Sequence, residues 1–173
     1  GVLPLAFAVG GDKVAERLGP VAEPEGDIFS YQNEMYRALT GKKEDIIRPA
    51  ESVQVLYNGE EQPQTGHWPA GNQCVVSGNG KAAYYYAVLG SGPNGHNVLL
   101  NGQDAGSSFI GEVINLGLLA EGESVTLEWQ DPAGIDVQAL QIVTILPEDM
   151  AAIRQMAWDN TGEIAWQDGR MDV

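Results

Sequence analysis

Between residues 84 and 146 the chain alternates short apolar runs with turn signals: YYYAVLG, HNVLLNG, FIGEVINLG, SVTLEW and DVQALQIVTIL. Each run is rich in Val, Ile, Leu, Tyr or Trp. The pieces between them (91–95, 102–108, 120–123 and 131–134) hold the Gly, Pro, Asn and Asp that reverse a backbone. This spacing predicts an antiparallel β-sandwich. In SVTLEW, Val125, Leu127 and Trp129 share one parity and Thr126, Glu128 and Gln130 the other, the pattern of a sheet wet on one side. Tyr84 and Tyr86 are sent to one face and Tyr85 to the other. The last run breaks the pattern. Val137, Ala139, Val143 and Ile145 fill one parity and Leu140, Ile142 and Leu146 most of the other, so part of it is covered on both faces.

The cover is expected from a helix. Ile28, Tyr31 or Gln32, Met35 and Leu39 form a stripe, with Asp27 or Ser30 as N-cap and Gly41 as the C′ residue. The second candidate begins at Pro147-Glu148-Asp149, with Pro at N1 and acids in the first turn, and continues the stripe through Met150, Ile153 and Ala157. A shorter helix is predicted over 12–18, capped by Asp12 and stopped by Gly19-Pro20, followed by an extended proline-containing linker over 21–26. A strand over 53–57 ends at Asn58-Gly59, a strong turn signal. A polar stretch over 60–72 carries His67-Trp68. A strand over 73–77 is turned by Gly78-Asn79-Gly80 into the tyrosine-rich run. The segment 163–173 is either a final strand or a second arm. The fold predicted is mainly β: an antiparallel jelly-roll-like β-sandwich with short N-terminal helices and one C-terminal helix. Its parts are an N-terminal arm and helices (1–51), the sandwich (52–146), and a C-terminal helix and tail (147–173).

Charge changes the picture more than composition does. The chain of 173 residues has 24 acids against nine Lys and Arg, a net charge of −15. Such a surface repels phosphate backbones and anionic lipid, so nucleic acid is a poor partner. Residues 1–100 carry −4 and residues 101–173 carry −11, so one side of the fold is strongly negative. Four of the nine positive charges, Arg37, Lys42, Lys43 and Arg48, lie within twelve residues. They are either a solvated helix end or a patch that meets the acidic face of a neighbouring copy. Cys74 is the one cysteine and is expected in the core. No apolar run reaches the roughly 18 residues that would span a bilayer, so membrane insertion is not expected. The opening GVLPLAFAVGG resembles the end of a signal peptide's apolar region, up to Ala6-Phe7-Ala8, without a basic n-region. The reading favoured is an apolar arm that docks on other protein through Val2, Leu3, Leu5 and Phe7, with Ile164 and Trp166 doing the same at the other end.

Catalytic chemistry has little to stand on. The two histidines, His67 and His96, sit in separate loops, and no Gly-x-Ser-x-Gly elbow is present. One Cys and two separated His do not make a zinc set. No cofactor is predicted. Calcium is the ion best suited to the chain, with Asp131, Asp136, Asn101 and Asp104 in or beside turns, although the spacing matches no EF-hand loop. For a glycan, an aromatic ring must stack on the sugar beside groups that hydrogen-bond its hydroxyls; His67, Trp68 and Tyr85 are the candidates.

The pieces Asn97-Val98-Leu99-Leu100-Asn101-Gly102, the segment 119–129 ending in Val125-Thr126-Leu127-Glu128-Trp129, and Ile135-Asp136-Val137-Gln138-Ala139-Leu140 resemble carbohydrate-binding-module and galactose-binding-like jelly rolls. The resemblance covers roughly a third of the chain. It implies the jelly-roll fold and glycan as a ligand class, and it carries over no binding residue. The helices and apolar ends are not parts of a compact sugar-binding module. The function expected is therefore a non-enzymatic structural protein, a sandwich subunit docking into a homo-oligomer or larger assembly of the virion decoration, surface-layer or appendage type. Its place would be extracellular or on a virion or cell surface. The alternative is a secreted carbohydrate-binding module.

Overall fold

A computed structural model of the chain describes residues 28–110, 112–151, 153, 166–167 and 170–171. The expected arm residues Val2, Leu3, Leu5, Phe7 and Ile164, the helix over 12–18 and the Asp27 cap lie outside them. Helix α1 (Ile28–Thr40) is followed by β1 (Arg48–Pro49), β2 (Val53–Tyr57), β3 (Glu60–Glu61), β4 (Gly66–Trp68), β5 (Gln73–Ser77) and β6 (Ala83–Val88). Then come β7 (Val98–Leu100), β8 (Gln103–Asp104), β9 (Phe109–Ile110), β10 (Val113–Leu119), β11 (Ser124–Trp129), β12 (Ile135–Val137) and β13 (Gln141–Ile145). Residues 147–151 and 153 are helical (α2), and β14 (Trp166–Gln167) pairs antiparallel with β15 (Arg170–Met171).

Two antiparallel sheets face each other. One has the order β1-β13-β6-β10-β9, the other β3-β2-β5-β11-β7-β8, and β12-β4 form a small third pair. Ranked along the chain, β1, β5, β6, β7, β8, β10, β11 and β13 are the eight strands of a jelly roll. The first, eighth, third and sixth lie side by side in one sheet and the second, seventh, fourth and fifth in the other. The hairpin β2–β3 extends the second sheet beyond its first jelly-roll strand. Its turn, Asn58-Gly59, has positive φ at both residues (52° and 80°), as the matching turn of β7–β8 at Asn101-Gly102 does (49° and 83°).

The core has two layers. Between the sheets lie Val55, Cys74, Val76, Tyr85, Ala87, Val98, Ile114, Val125, Leu127, Trp129 and Ile142. On the outer face of the first sheet, Tyr86, Val88, Val113, Val143 and Ile145 pack with Phe29, Met35 and Tyr36 of α1 and Met150 and Ile153 of α2. β13 is thus covered on both faces, Ile142 inward and Val143 and Ile145 outward. The tyrosines of β6 divide in the same way. α1 ends at Gly41, whose φ of +73° and N–H bond to Arg37 O (3.0 Å) close the last turn. One side chain fastens it: the buried Asn33 amide donates to Ile47 O (2.8 Å) and accepts from Ile47 N–H (2.7 Å), satisfying both backbone groups of that residue. The buried Asp149 at the start of α2 pairs with Lys42, tying the second helix to the segment after the first. The second sheet's outer face is half-exposed, with Leu56, Val75 and Leu99 among the amide–carboxylate pairs Gln54–Glu61 and Gln73–Glu128.

Four expectations are corrected. The turn at 78–80 does not fold β5 and β6 into a hairpin, because these strands belong to different sheets and the segment crosses between them. A Cβ on Gly78 would collide with Ala120 O, which fixes glycine there. The last apolar run is two strands, since exposed Gln138 and Ala139 interrupt it. Ser30 lies inside α1 and is not its cap. The sandwich also begins at β1, upstream of residue 52, where Pro49 confines the edge strand to two residues.

Replacing Asn33 by Ala leaves both Ile47 backbone groups buried and unpaired. The expected loss is about 2–3 kcal/mol, seen as a lower urea midpoint at unchanged slope. Ser30→Ala on the same helix is expected to stay within about 0.5 kcal/mol of the parent.

Candidate functional site

Successive connections in an antiparallel sandwich alternate between its two ends. The segments 58–72, 89–97, 105–112 and 130–140 therefore meet at one end, and their contacts confirm it. β4 of the first segment pairs with β12 of the last, in the register Ile135↔Trp68, Asp136↔His67 and Val137↔Gly66. Strand alternation then sets the chemistry. Trp68, Ile135 and Val137 point into the core, and His67 and Asp136 stand side by side outside, His67 Nδ1 lying 2.8 Å from Asp136 Oδ1. Ser91 Oγ donates to Asp136 O (2.9 Å), which brings in the second segment. Gly134 has φ +72°, and a Cβ there would sit 2.6 Å from His67 Nε2 and 2.7 Å from Trp68 O, so the imidazole rests against this glycine.

A second histidine pair joins the other loops. His96 Nδ1 lies 3.1 Å from Asp104 Oδ2, while Asp104 Oδ1 accepts the Gly106 N–H (2.7 Å). The Gly106 hydrogen bond first, then the one to His96, lower the Asp104 carboxyl below its ordinary value. Asn94 Oδ1 accepts from His96 N–H and Asp131 Oδ1 from Ala133 N–H, each two residues on, so three short polar side chains hold these loops by the same local device. Asp131 Oδ2 also accepts from Asn97 Nδ2 (3.2 Å). The segments 58–72, 89–97, 103–112 and 130–140 contain both histidines and no Lys or Arg. Near the opposite end, Lys42, Lys43 and Arg48 gather beside Leu146, and Lys81 stands on the far side of Arg48.

Of the residues expected to bind a glycan, the structure leaves only His67 at the surface. Trp68 is 1% exposed and Tyr85 4%, both in the sandwich interior, so neither offers a ring face for stacking. Of the residues named for calcium, Asp131, Asp136 and Asp104 lie at this end, where Asp131 accepts from Asn97 and Ala133, Asp136 from His67, and Asp104 from Gly106 and His96, while Asn101 accepts from Thr126 N–H at the other end. Among the described residues no group of three or more His, Cys, Asp or Glu stands together as a metal set. Cys74 is buried, and burial pushes its thiol up to about 12. Trp166 lies in β14, its backbone opposite Met171. The residues that sequence reasoning missed are Ser91 and Gly134, whose roles depend on partners distant in the chain. The pairing of His96 with Asp104 was not foreseen either, although Asp104-Ala105-Gly106 and Asn94-Gly95-His96 carry a local signal, a short polar residue that precedes by two the N–H it captures.

Among the described residues no helix is long and apolar enough to cross a membrane. Comparison of the chain with protein-family models, with curated proteins and with solved structures finds no match.

Because the folded Asp104 carboxyl is depressed, its stabilising contribution is complete above the ordinary carboxylate value, near 3.9. It is lost as pH falls through the lower folded value. An NMR carboxyl titration is expected to show Asp104 titrating below the ordinary range. In His96→Ala it should move up yet stay depressed, since the Gly106 N–H remains.

Proposed function

We propose that the chain is a non-enzymatic structural subunit, a jelly-roll β-sandwich that docks into a larger assembly of the virion decoration, surface-layer or appendage kind. The observation that carries this reading is how completely the sandwich uses its own apolar residues. Leu118 is the exposed large hydrophobic residue among those described, and both sheets are packed, one against the other and one against two helices. The run Val2-Leu3-Pro4-Leu5-Ala6-Phe7-Ala8-Val9 is apolar throughout and lies outside the described residues. An apolar segment of this kind is stabilised by burial against protein, at about 25 cal/mol per Å² of apolar surface.

The loop end is acidic and free of Lys and Arg, while Lys42, Lys43 and Arg48 at the other end stand among Glu44, Asp45, Glu148 and Asp149. One feature of the sheets supports assembly between copies. The edge strands β1, β3, β8 and β9 are two residues long, which favours docking by faces and arms over open-ended strand pairing. A jelly roll also serves lectins. The glycan reading now rests on His67 alone among the residues named for it. An extracellular, virion or cell-surface location belongs to the same proposal.

Sedimentation velocity of the whole chain and of a form lacking residues 1–11 tests the reading. The whole chain is expected to associate with rising concentration and the shortened form to sediment as a monomer. Identical monomeric behaviour of the two would overturn it.

A further inference from the structure

A groove of about 410 Å³ runs along the open edge of the sandwich between α1 and the strands β1 and β13. This is within the roughly 300–1,000 Å³ of ordinary ligand clefts. Its walls are Phe29 and Ile47 on the helix side and Ala50, Val53, Leu140 and Ile142 on the strand side, and its rim is polar. Ala50, Val53 and Leu140 are half-buried, so this apolar surface is open to an occupant. It is also where the described fold meets the first 27 residues, because Phe29 and Ser30 at the start of α1 line it.

The sequence of the arm fits such a groove. Leu3, Leu5, Phe7 and Val9 occupy alternate positions, and the residues between them are Pro4, Ala6 and Ala8. An extended backbone turns alternate residues to opposite sides, about 6.6 Å apart along one side. In such a backbone the segment would present one row of large apolar side chains and one row of small ones. Pro4 lacks an N–H, as suits a segment lying on a wall and not entering a sheet. No charged residue occurs before Asp12, so the acids Glu34, Asp45 and Glu51 around the groove do not repel it. Pro20 and Pro24, between the arm and α1, fix φ and disfavour helix in the residues before them.

We propose that this groove receives the segment Val2–Val9 of a second copy of the chain, with Leu3, Leu5 and Phe7 filling it. The inference rests on the assembly reading above and names its acceptor. The test pairs Leu5, the middle of the three large side chains, with Ala50, a half-buried residue of the strand wall.

The test is a disulfide trap in the full chain carrying Leu5→Cys and Ala50→Cys, with circular dichroism confirming the fold. Native Cys74 is fully buried and does not compete. Under mild oxidation the pair is expected to give disulfide-linked dimers and higher multiples on a non-reducing gel. The rate should be roughly a hundredfold above that of a control carrying Leu5→Cys and the exposed Ser124→Cys, the advantage of a docked pair over chance collision at micromolar protein. A second variant, Leu140→Glu, is expected to abolish association of the otherwise unmodified chain. Linkage no faster than the control, or linkage that leaves the chain at monomer size, overturns the proposal. If association still requires residues 1–11 in that event, the groove is wrong and the arm reading stands. If association does not require them, the arm reading falls as well.

Discussion

The structure depends on β13 and β6 being buried on both faces. Ile142, Ala87 and Tyr85 look into the sandwich, while Val143, Ile145 and Tyr86 look outward beneath α1 and α2. A jelly-roll sheet with apolar residues on both parities exposes a broad greasy face unless something lies on it. Here the covering helices come from opposite ends of the described domain. Placing them is therefore part of folding the sheet and not a later decoration. The Asn33–Ile47 pair makes that placement specific: a helix held by packing alone could rotate or slide over Val143 and Ile145. The Lys42–Asp149 pair does the same for α2.

That arrangement decides what the surface offers. With α1 fixed over one sheet, the edge beside β1 opens into the groove, and the basic residues after α1 are brought to the corner beside Leu146. With β4 and β12 paired, Trp68 is drawn under the loops and His67 is turned out beside Asp136. The two ends of the sandwich thus differ in charge and in chemistry.

Much of the fold was legible because strand period and turn chemistry act locally. Val125, Leu127 and Trp129 alternate with Thr126 and Glu128 as expected, and Asn58-Gly59 makes the turn its residues demand. The double parity of the last run correctly required a cover. What pattern could not supply was partnership at a distance. Gly78-Asn79-Gly80 has the composition of a hairpin and is a crossing between sheets, because the jelly-roll order places β13 and β10 beside β6. His67-Trp68 reads as an exposed pair in a polar loop until β4 finds β12. Pairing fixes which of the two faces water, and it chose the tryptophan for the core. Asn33 was hidden for the opposite reason: a polar residue off the expected apolar stripe reads as a solvent position until its partner, Ile47, is known.

Native-state hydrogen exchange tests the two-faced burial most directly. If the helix layer is integral to the sheet, the amides of Met35 and Tyr36 in α1 exchange only through global unfolding, at the same free energy and denaturant slope as those of Tyr86 and Ile145. Exchange of the α1 amides at a much lower free energy, with β6 and β13 still fully protected, would contradict this: the helix would then be a separable cover, and the sheet would hold without it.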